Sequence, residues 1–196
     1  VAAKLQFFTN ISHELRTPLT LIADPIDYII HDSNLTMKQR DMLQIVQRNV
    51  SVLTRLVSEI LDFRKVQSGK MKLHLSDFDL AESMRQWIKL FTTSAQKKNI
   101  SLLLEVPASI SMRADHDKLE RICYNLLSNA MKYTPNGGRI TFAAIVEGDK
   151  VRITVSDNGK GIAYDEQPNI FDCFYQTKNA EHGTGIGLAL VKAFTE

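Results

Sequence analysis

The chain has 196 residues, 44% of them hydrophobic, and its 24 basic and 22 acidic side chains leave a net charge of only +2. Because charges of both signs are interleaved along the chain, no basic patch for nucleic acid is predicted. Cys123 and Cys173 form no C-x-x-C pair and no run of about eighteen apolar residues occurs, so neither a zinc site, a disulfide framework nor a membrane span is predicted, and a reducing cytosol fits best.

The first predicted element is a helix over residues 2–30. At about 100° per residue, its apolar residues form one stripe, which comprises Phe8, Ile11, Leu15, Leu19, Ile22, Ile26 and Ile29. His13 points about 160° away from the centre of that stripe, and Glu14 follows it directly. Pro18 and Pro25 are expected to bend the helix after His13. A lone exposed histidine is most often a solvated surface residue, so His13 becomes a candidate nucleophile only if the remaining sequence supplies a substrate.

The second predicted element is a helix over residues 36–67, after a polar turn at 31–34. Its apolar residues recur in alternating steps of three and four, at Leu43, Val46, Val50, Leu53, Val57 and Ile60. Leu56 and Leu61 widen this stripe beyond the seam of a two-helix hairpin. The pattern therefore predicts that hairpins from two chains join in a four-helix bundle, with the chain a homodimer.

From residue 69 onward the pattern changes to short strands and helices, which predicts a domain boundary near Gly69. The predicted strands are Met71–Leu75, Ile100–Val106, Ser111–Ala114 and a hairpin of Arg139–Val146 with Lys150–Ser156, and the predicted helices are 79–97 and Asp115–Tyr133. Helices on one face of a mixed sheet would form an α/β sandwich.

One polar helix face carries the first set of candidate binding residues. Asn125 and Asn129 are one turn apart, and Lys132 and Tyr133 extend the same surface by another turn. Amide oxygens suit Mg²⁺, and a lysine can neutralise phosphate charge. Taken alone, this motif is more often an ordinary solvated helix face.

Two glycine-containing segments follow. Asp157 ends a predicted strand and precedes Gly159 and Gly161, which would let the backbone pass close to a flat base, although Asp-Asn-Gly is also a common turn. The second segment opens a predicted helix with free N–H groups that could hold phosphate, and it comprises Gly183, Gly185, Gly187 and Leu188. The stretch 172–182 between them is expected to form a lid, hinged by packing of Phe171 and Phe174.

In this order, five segments of the chain resemble the H, N, G1, F and G2 boxes of sensor histidine kinases. They are NISHELRTPLTLI, NLLSNAMKYTPNGG, DNGKGI, IFDCFYQ and GTGIGL. The first and second, together with LDFRKVQSGKMKL, look most similar to the hybrid two-component kinases of Bacteroides-type bacteria. The resemblance covers nearly the whole chain.

This resemblance implies two domains and a cellular setting. Residues 1–68 would be a dimerising, phosphate-accepting helical hairpin. Residues 69–196 would be an α/β sandwich ATP-binding domain of the histidine kinase, gyrase and Hsp90 type, which is expected to lack its last strands. The fragment would be the cytoplasmic portion of an inner-membrane sensor protein, with a response-regulator receiver domain as its partner and no membrane contact of its own.

The resemblance also implies residue roles. His13 would take the γ-phosphoryl group of Mg-ATP, with Glu14 holding the imidazole tautomer and Thr17 orienting water when the kinase dephosphorylates its receiver. Asn129 and Asn125 would bind Mg²⁺. Asp157 would accept a hydrogen bond from the adenine amino group. Apart from the resemblance, Lys178 and His182 of the expected lid could help hold phosphate, although such lid side chains are more often solvated.

The sequence leaves competing interpretations open. The chain could be a dimeric scaffold or phosphorelay module that binds nucleotide weakly, or an ATP-hydrolysing clamp of the same superfamily. The clamp is disfavoured because position 125 is an asparagine, whose amide cannot act as a general base, where the superfamily usually has a glutamate. Cys173 departs from the basic residue usual in the F box, so one contact of the lid is in doubt.

Overall fold

The computed structural model describes residues 19–30, 35–67, 71–177 and 185–196. The chain divides into two compact units, residues 1–71 and 72–196. None of the helices in these described ranges is long and apolar enough to cross a membrane.

The described residues of the first unit form two helices. Residues 19–30 are helical without a break at Pro25, and we call this segment α1; α2 is Met37–Gln67. A reciprocal capping box starts α2, because the Gln39 N–H donates to Thr36 Oγ1 at 3.3 Å and the Thr36 N–H donates to Gln39 Oε1 at 2.9 Å. Gln47 Nε2 donates to Asp27 Oδ1 at 2.8 Å and joins the two helices.

Within a single chain, the apolar seam predicted for α2 is only partly buried. Val50 and Val57 are buried, whereas Val46 and Leu53, which alternate with them along the seam, are exposed. On α1, Ile26 is buried and Leu21 and Ile22 are exposed. Two of the six predicted seam residues of α2 thus face solvent. The N-terminal part of the predicted first helix, with Pro18, lies outside the described residues.

The second unit is built in chain order from five strands and three α-helices among its described residues. They are β1 Leu75–Asp79, α3 Leu80–Lys97, β2 Ser101–Glu105, β3 Ser111–Asp115, α4 His116–Tyr133, β4 Arg139–Glu147, β5 Lys150–Asp157 and α5 Gly187–Thr195, with a 3₁₀ turn at Gln167–Asn169. β1 pairs antiparallel with β3, and a second sheet has the order β2-β4-β5. In it β2 runs parallel to β4, and β4 and β5 form the predicted hairpin, with Glu147 opposite Lys150.

The predicted α/β sandwich is confirmed, since α3 and α4 pack on one face of this mixed sheet. The core combines Met84, Trp87 and Phe91 of α3 and Cys123 and Leu127 of α4 with Ile140, Phe142 and Ala144 of β4. Burial raises the pKa of the Cys123 thiol to about 12, so this thiol stays protonated at neutral pH.

The predicted position of one strand was wrong. The sequence places a strand at Met71–Leu75, but β1 occupies Leu75–Asp79. The partner strand explains the difference: β3 ends at Asp115, which lies opposite Leu75, so residues before Leu75 have no β3 residue to pair with. Leu73, which made the segment look like a strand, is exposed.

Asp79 joins β1, α3 and the loop before β3. As the N-cap of α3 its Oδ1 accepts from the backbone N–H of Ala81 at 2.8 Å and of Glu82 at 3.3 Å, and it also accepts from the Ile110 N–H at 3.1 Å. A hydrogen bond from the Ser109 side chain, reinforced by the Ile110 N–H, lowers the pKa of Asp79 from 3.8 to about 2.

This lowered pKa predicts the acid response of the second unit. Because the folded pKa lies below the unfolded value, the charged carboxylate stabilises the fold above pH 3.8, and that contribution is lost as the pH falls towards about 2. Asp79→Asn, which can still cap the helix, should therefore flatten the fall of the urea midpoint over this pH range. Asp149→Asn, in the exposed β4–β5 turn, is the matched control. Equal acid slopes for the wild type and Asp79→Asn would contradict this role.

Candidate nucleotide site

The predicted polar face of α4 meets the start of α5. Asn125, Asn129, Lys132 and Tyr133 are all half-buried on α4. Asn125 Nδ2 donates to the Gly187 carbonyl at 3.4 Å, and a Cβ at Gly187 would lie 3.3 Å from Asn125 Oδ1. Two motifs that are 62 residues apart in sequence therefore touch.

Two lysine side chains lie near the C-terminal end of α4. Lys132 Nζ donates to the Tyr133 hydroxyl at 3.0 Å and lies 4.7 Å from the centre of that ring. Lys160 Nζ, from the loop after β5, lies 5.1 Å from the same ring. Both ammonium groups are therefore held beside the aromatic face, where an anionic ligand would neutralise them.

The loop after β5 is pressed against the end of α4. Asp157 is the last residue of β5, and its Oδ1 accepts from the Gly159 N–H at 2.8 Å. A Cβ at Gly159 would lie 2.6 Å from the Tyr133 carbonyl oxygen and 2.7 Å from Asp157 Oδ1. Only glycine fits there without movement of the loop. Asp157, Gly159 and Tyr133 are thereby brought together.

Asn158 fixes the base of this loop, a contact that the sequence interpretation missed. Its Oδ1 accepts from the Arg139 N–H at 2.7 Å, while its own N–H donates to the Arg139 carbonyl at 3.2 Å. The signal available in the sequence was an asparagine directly before glycine, where its side chain commonly binds nearby backbone.

A cavity of about 490 Å³ opens beside Asp157. Its lining consists of Asp157, Gly159, Gly161, Ile162, Gln167, Ile170 and Phe171. The volume is in the range of small-molecule pockets. Its lining of one carboxylate, one amide, two glycines and three apolar side chains suits a flat heteroaromatic group that presents a hydrogen-bond donor. Ile162 and Ile170 belong to the motifs DNGKGI and IFDCFYQ but had been given no role from the sequence, and Gln167 lies outside every motif.

The segment before α5 is hydrogen-bonded to the first part of the predicted lid. The Phe174 N–H donates to the Gly185 carbonyl at 2.8 Å, and Gly185 has φ +67°. A Cβ on Gly185 would lie 2.6 Å from the backbone of Phe174 and Tyr175. The expected packing of Phe174 was wrong: its side chain is 66% exposed, and its backbone is itself left-handed at φ +67°. Phe171 instead lines the cavity.

The remaining predicted site residues fall into two groups. Gly161, with φ +68°, lies in the cavity wall, and Leu188 is half-buried in the first turn of α5. The others lie outside the described residues, and they are His13, Glu14, Thr17, Lys178, His182 and Gly183.

Comparison with known proteins adds two domain matches. Residues 3–69 match the His Kinase A (phospho-acceptor) domain, and residues 114–196 match the histidine kinase-, DNA gyrase B- and HSP90-like ATPase family.

Curated relatives match over almost all of this chain. It is 35% identical to Histidine kinase P4 of Formosa agariphila, over 99% of the chain and 15% of that protein. It is 38% identical to Hybrid signal transduction histidine kinase D of Dictyostelium discoideum, over 97% of the chain and 13% of that protein. The chain thus spans less than a sixth of these two relatives.

Solved structures match in fold. Full-length ShkA in complex with AMPPNP aligns with a TM-score of 0.78 at 30% identity, over 97% of this chain and 40% of ShkA. Histidine kinase ThkA in complex with the response regulator TrrA aligns with a TM-score of 0.57 at 25% identity, over 88% of this chain and 51% of that one.

Proposed function

Because the chain belongs to the sensor histidine kinases and carries their phospho-acceptor and ATPase domains, we propose that it autophosphorylates His13 with ATP and passes the phosphoryl group to an aspartate of a response-regulator receiver domain. The observation that carries the proposal is the convergence of motifs in the second unit. Asn125 of α4 touches Gly187 of α5, and Gly159, which lines the same cavity as Asp157, packs against Tyr133 at the end of α4.

The adenine and the phosphates of the nucleotide would bind in two different parts of the site. Adenine would occupy the cavity that Asp157 lines, with the Asp157 carboxylate accepting a hydrogen bond from the exocyclic amine. The phosphates would lie beside Lys132, Tyr133 and the N–H groups at the start of α5, with Gly185 before the helix and Leu188 in its first turn. Gly183, from the same glycine motif, is proposed to contribute a further N–H group.

The site also suits Mg²⁺. Asn125 and Asn129 offer neutral amide oxygens one turn apart, and the bond from Asn125 Nδ2 to Gly187 holds that amide at the phosphate end. When bound there, Mg²⁺ would neutralise charge on the phosphates. Since an asparagine at position 125 cannot activate water as a general base, the site favours transfer to a protein nucleophile over hydrolysis.

The transfer follows from the chemistry of the proposed residues. His13 Nε2 attacks the γ-phosphorus, the bond from phosphorus to the β,γ-bridging oxygen breaks, and ADP leaves as a phosphoramidate forms. Glu14 accepts a hydrogen bond from Nδ1–H and stabilises the positive charge that develops on the ring.

The decisive test is labelling with γ-labelled Mg-ATP. The wild type should acquire label that is lost in acid and kept in base, and His13→Gln should acquire none. Equal label on both proteins would exclude His13, and ATP consumption without protein label would favour the hydrolysing clamp. If neither protein is labelled and neither binds ADP, the scaffold interpretation is supported instead.

We propose further that the kinase is a homodimer through residues 1–68, with residues 69–196 as its ATP-binding domain. The exposed apolar side chains of Leu21, Ile22, Val46 and Leu53 need a partner surface. Light scattering should give a dimer at micromolar concentration. Substituting Val46 and Leu53 with lysine should give monomers, and a monomeric wild type would contradict the proposal.

The whole protein is proposed to be a hybrid kinase similar to those of Bacteroides-type bacteria. The wording NISHELRTPLTLI and the hybrid kinase among the relatives support this. The chain would then be the cytoplasmic portion of an inner-membrane sensor, with the receiver domain in the same polypeptide or a separate one.

Thr17→Ala should separate the two activities of such a kinase. Dephosphorylation of the receiver should fall about tenfold or more, since a side chain that orients water contributes to that step alone, whereas autophosphorylation should change little. Both rates are measured on the same preparation with labelled protein and labelled receiver. A parallel loss of both would assign Thr17 to helix structure.

A further inference from the structure

The first two turns of α4 hold a cluster outside the nucleotide site. One ligand atom from each of His116, Asp117 and Glu120 lies within 4.8 Å of the others. The proposed nucleotide residues of the same helix begin only at Asn125. The three residues combine an imidazole with two carboxylates, which is a donor set for a metal ion of the zinc type.

The imidazole of His116 is held in place by two aromatic rings. The Phe78 ring meets it edge-on, with centroids 4.9 Å apart and an interplanar angle of 84°. The Trp87 ring lies 5.5 Å away on α3. These contacts leave the ring little freedom to turn.

A hydrogen bond to Ser83 determines which imidazole nitrogen carries the proton. The Ser83 hydroxyl donates its single hydrogen to the Asp79 carbonyl oxygen at 3.0 Å. Its contact with His116 Nε2 at 3.2 Å therefore requires Nε2–H to donate. In the neutral ring, Nδ1 then carries a lone pair.

That lone pair lies beside negative charge. Nδ1 is 3.8 Å from Asp117 Oδ1, and Glu120 completes the cluster. A lone pair beside two carboxylates is repulsive until a cation comes between them. The Ser83 bond also supplies what histidine ligands of metals usually have, an acceptor for the second ring nitrogen.

We propose that His116 Nδ1, Asp117 and Glu120 bind a divalent transition-metal ion of the zinc type. Bonds of about 2.0–2.2 Å would bring the three ligand atoms closer together than they now lie. The Asp117 side chain is 86% exposed and can change rotamer to close the gap. The N-terminal end of α4 carries the positive end of the helix dipole, which opposes the binding of a cation. The affinity for the metal ion is therefore lower than at a closed four-ligand site.

Trp87 provides a specific probe, because it is the single tryptophan of the chain and adjoins the His116 ring. Titrating the nucleotide-free protein with Ni²⁺ should quench its fluorescence in a saturable way. Zn²⁺, which has a closed shell, should compete and restore the emission, and excess Mg²⁺ should not. Absence of quenching, or reversal by Mg²⁺, would overturn the proposal.

Single-residue variants test which side chains bind the Ni²⁺ that quenches the Trp87 fluorescence. Ser83→Ala should weaken Ni²⁺ binding about tenfold. Asp117→Asn and Glu120→Gln should weaken it more, and His116→Gln should abolish it. Asp149→Asn is the matched control and should bind as the wild type does. If Asp117→Asn and Glu120→Gln, with unchanged circular dichroism, quench as the wild type does, or if the control loses affinity equally, only adventitious binding remains.

Discussion

Gly159→Ala is expected to lower the affinity for ADP and ATP by roughly ten- to a hundredfold, the equivalent of about 1–3 kcal/mol of steric conflict. The added Cβ would lie 2.6 Å from the Tyr133 carbonyl oxygen and 2.7 Å from Asp157 Oδ1. Neither neighbour can yield freely, since one is helix backbone and the other accepts the Gly159 N–H. The loop must move away from α4 and carry Asp157 with it. Isothermal titration calorimetry with ADP measures the loss.

Alanine variants at two other glycines serve as controls that distinguish the Gly159 contact from the general effects of replacing a glycine. Gly148 in the β4–β5 turn has φ +64° with nothing within 4 Å, so Gly148→Ala should cost about 1–2 kcal/mol of stability and leave ADP binding unchanged. Gly161→Ala tests backbone strain within the loop itself, since its φ is +68° and its surroundings are open. ADP binding by Gly159→Ala at wild-type affinity would show that the loop does not position the base.

Asn129→Ala is expected to reduce the autophosphorylation rate by about a hundred- to a thousandfold, the effect of losing one group that stabilises charge in a transition state. The residue lies one turn after Asn125, whose amide is already held at Gly187, so the two amides flank the phosphate end of the site. ADP affinity in the absence of Mg²⁺ should change far less. Initial rates at saturating Mg-ATP, with label on His13 as the readout, measure the effect.

Asn136→Ala is the matched control for this rate, because Asn136 is an exposed asparagine in the turn after α4. It should autophosphorylate as the wild type does. If Asn129→Ala retains the rate of Asn136→Ala, the amide at position 129 does not contribute to phosphoryl transfer, and Mg²⁺ must be held by other groups.

The elements with strong local signals were well predicted. The sequence placed α4 at Asp115–Tyr133 and the structure has His116–Tyr133, because Asp115 accepts from the Lys118 N–H as an N-cap. The β4–β5 hairpin followed from alternation around Gly148. The start of α2 had an equally local signal in Thr36 and Gln39, which the sequence interpretation overlooked.

Contacts between distant segments could not be predicted. The sequence interpretation attributed the glycine at position 159 to a base passing close by, and it did not predict the close approach to the protein's own Tyr133 carbonyl that the structure shows. Gly161, assigned the same role, is needed for its left-handed backbone. Likewise, β1 was misplaced because its position depends on where β3 ends, and the bonds that Asp79 makes to Ile110 join residues 31 positions apart.

The parallel pairing of β2 with β4 imposes an order on folding as the chain leaves the ribosome. Ser101 has no sheet partner until Arg139 has been made, and the apolar face of α3 has no β4 to cover it before Ile140 and Phe142 emerge. The β4–β5 hairpin is local and can close at once. Until β4 has been made, α3 lacks part of the apolar surface that covers it, so we expect the nascent second unit to bind chaperones that shield apolar surface during translation.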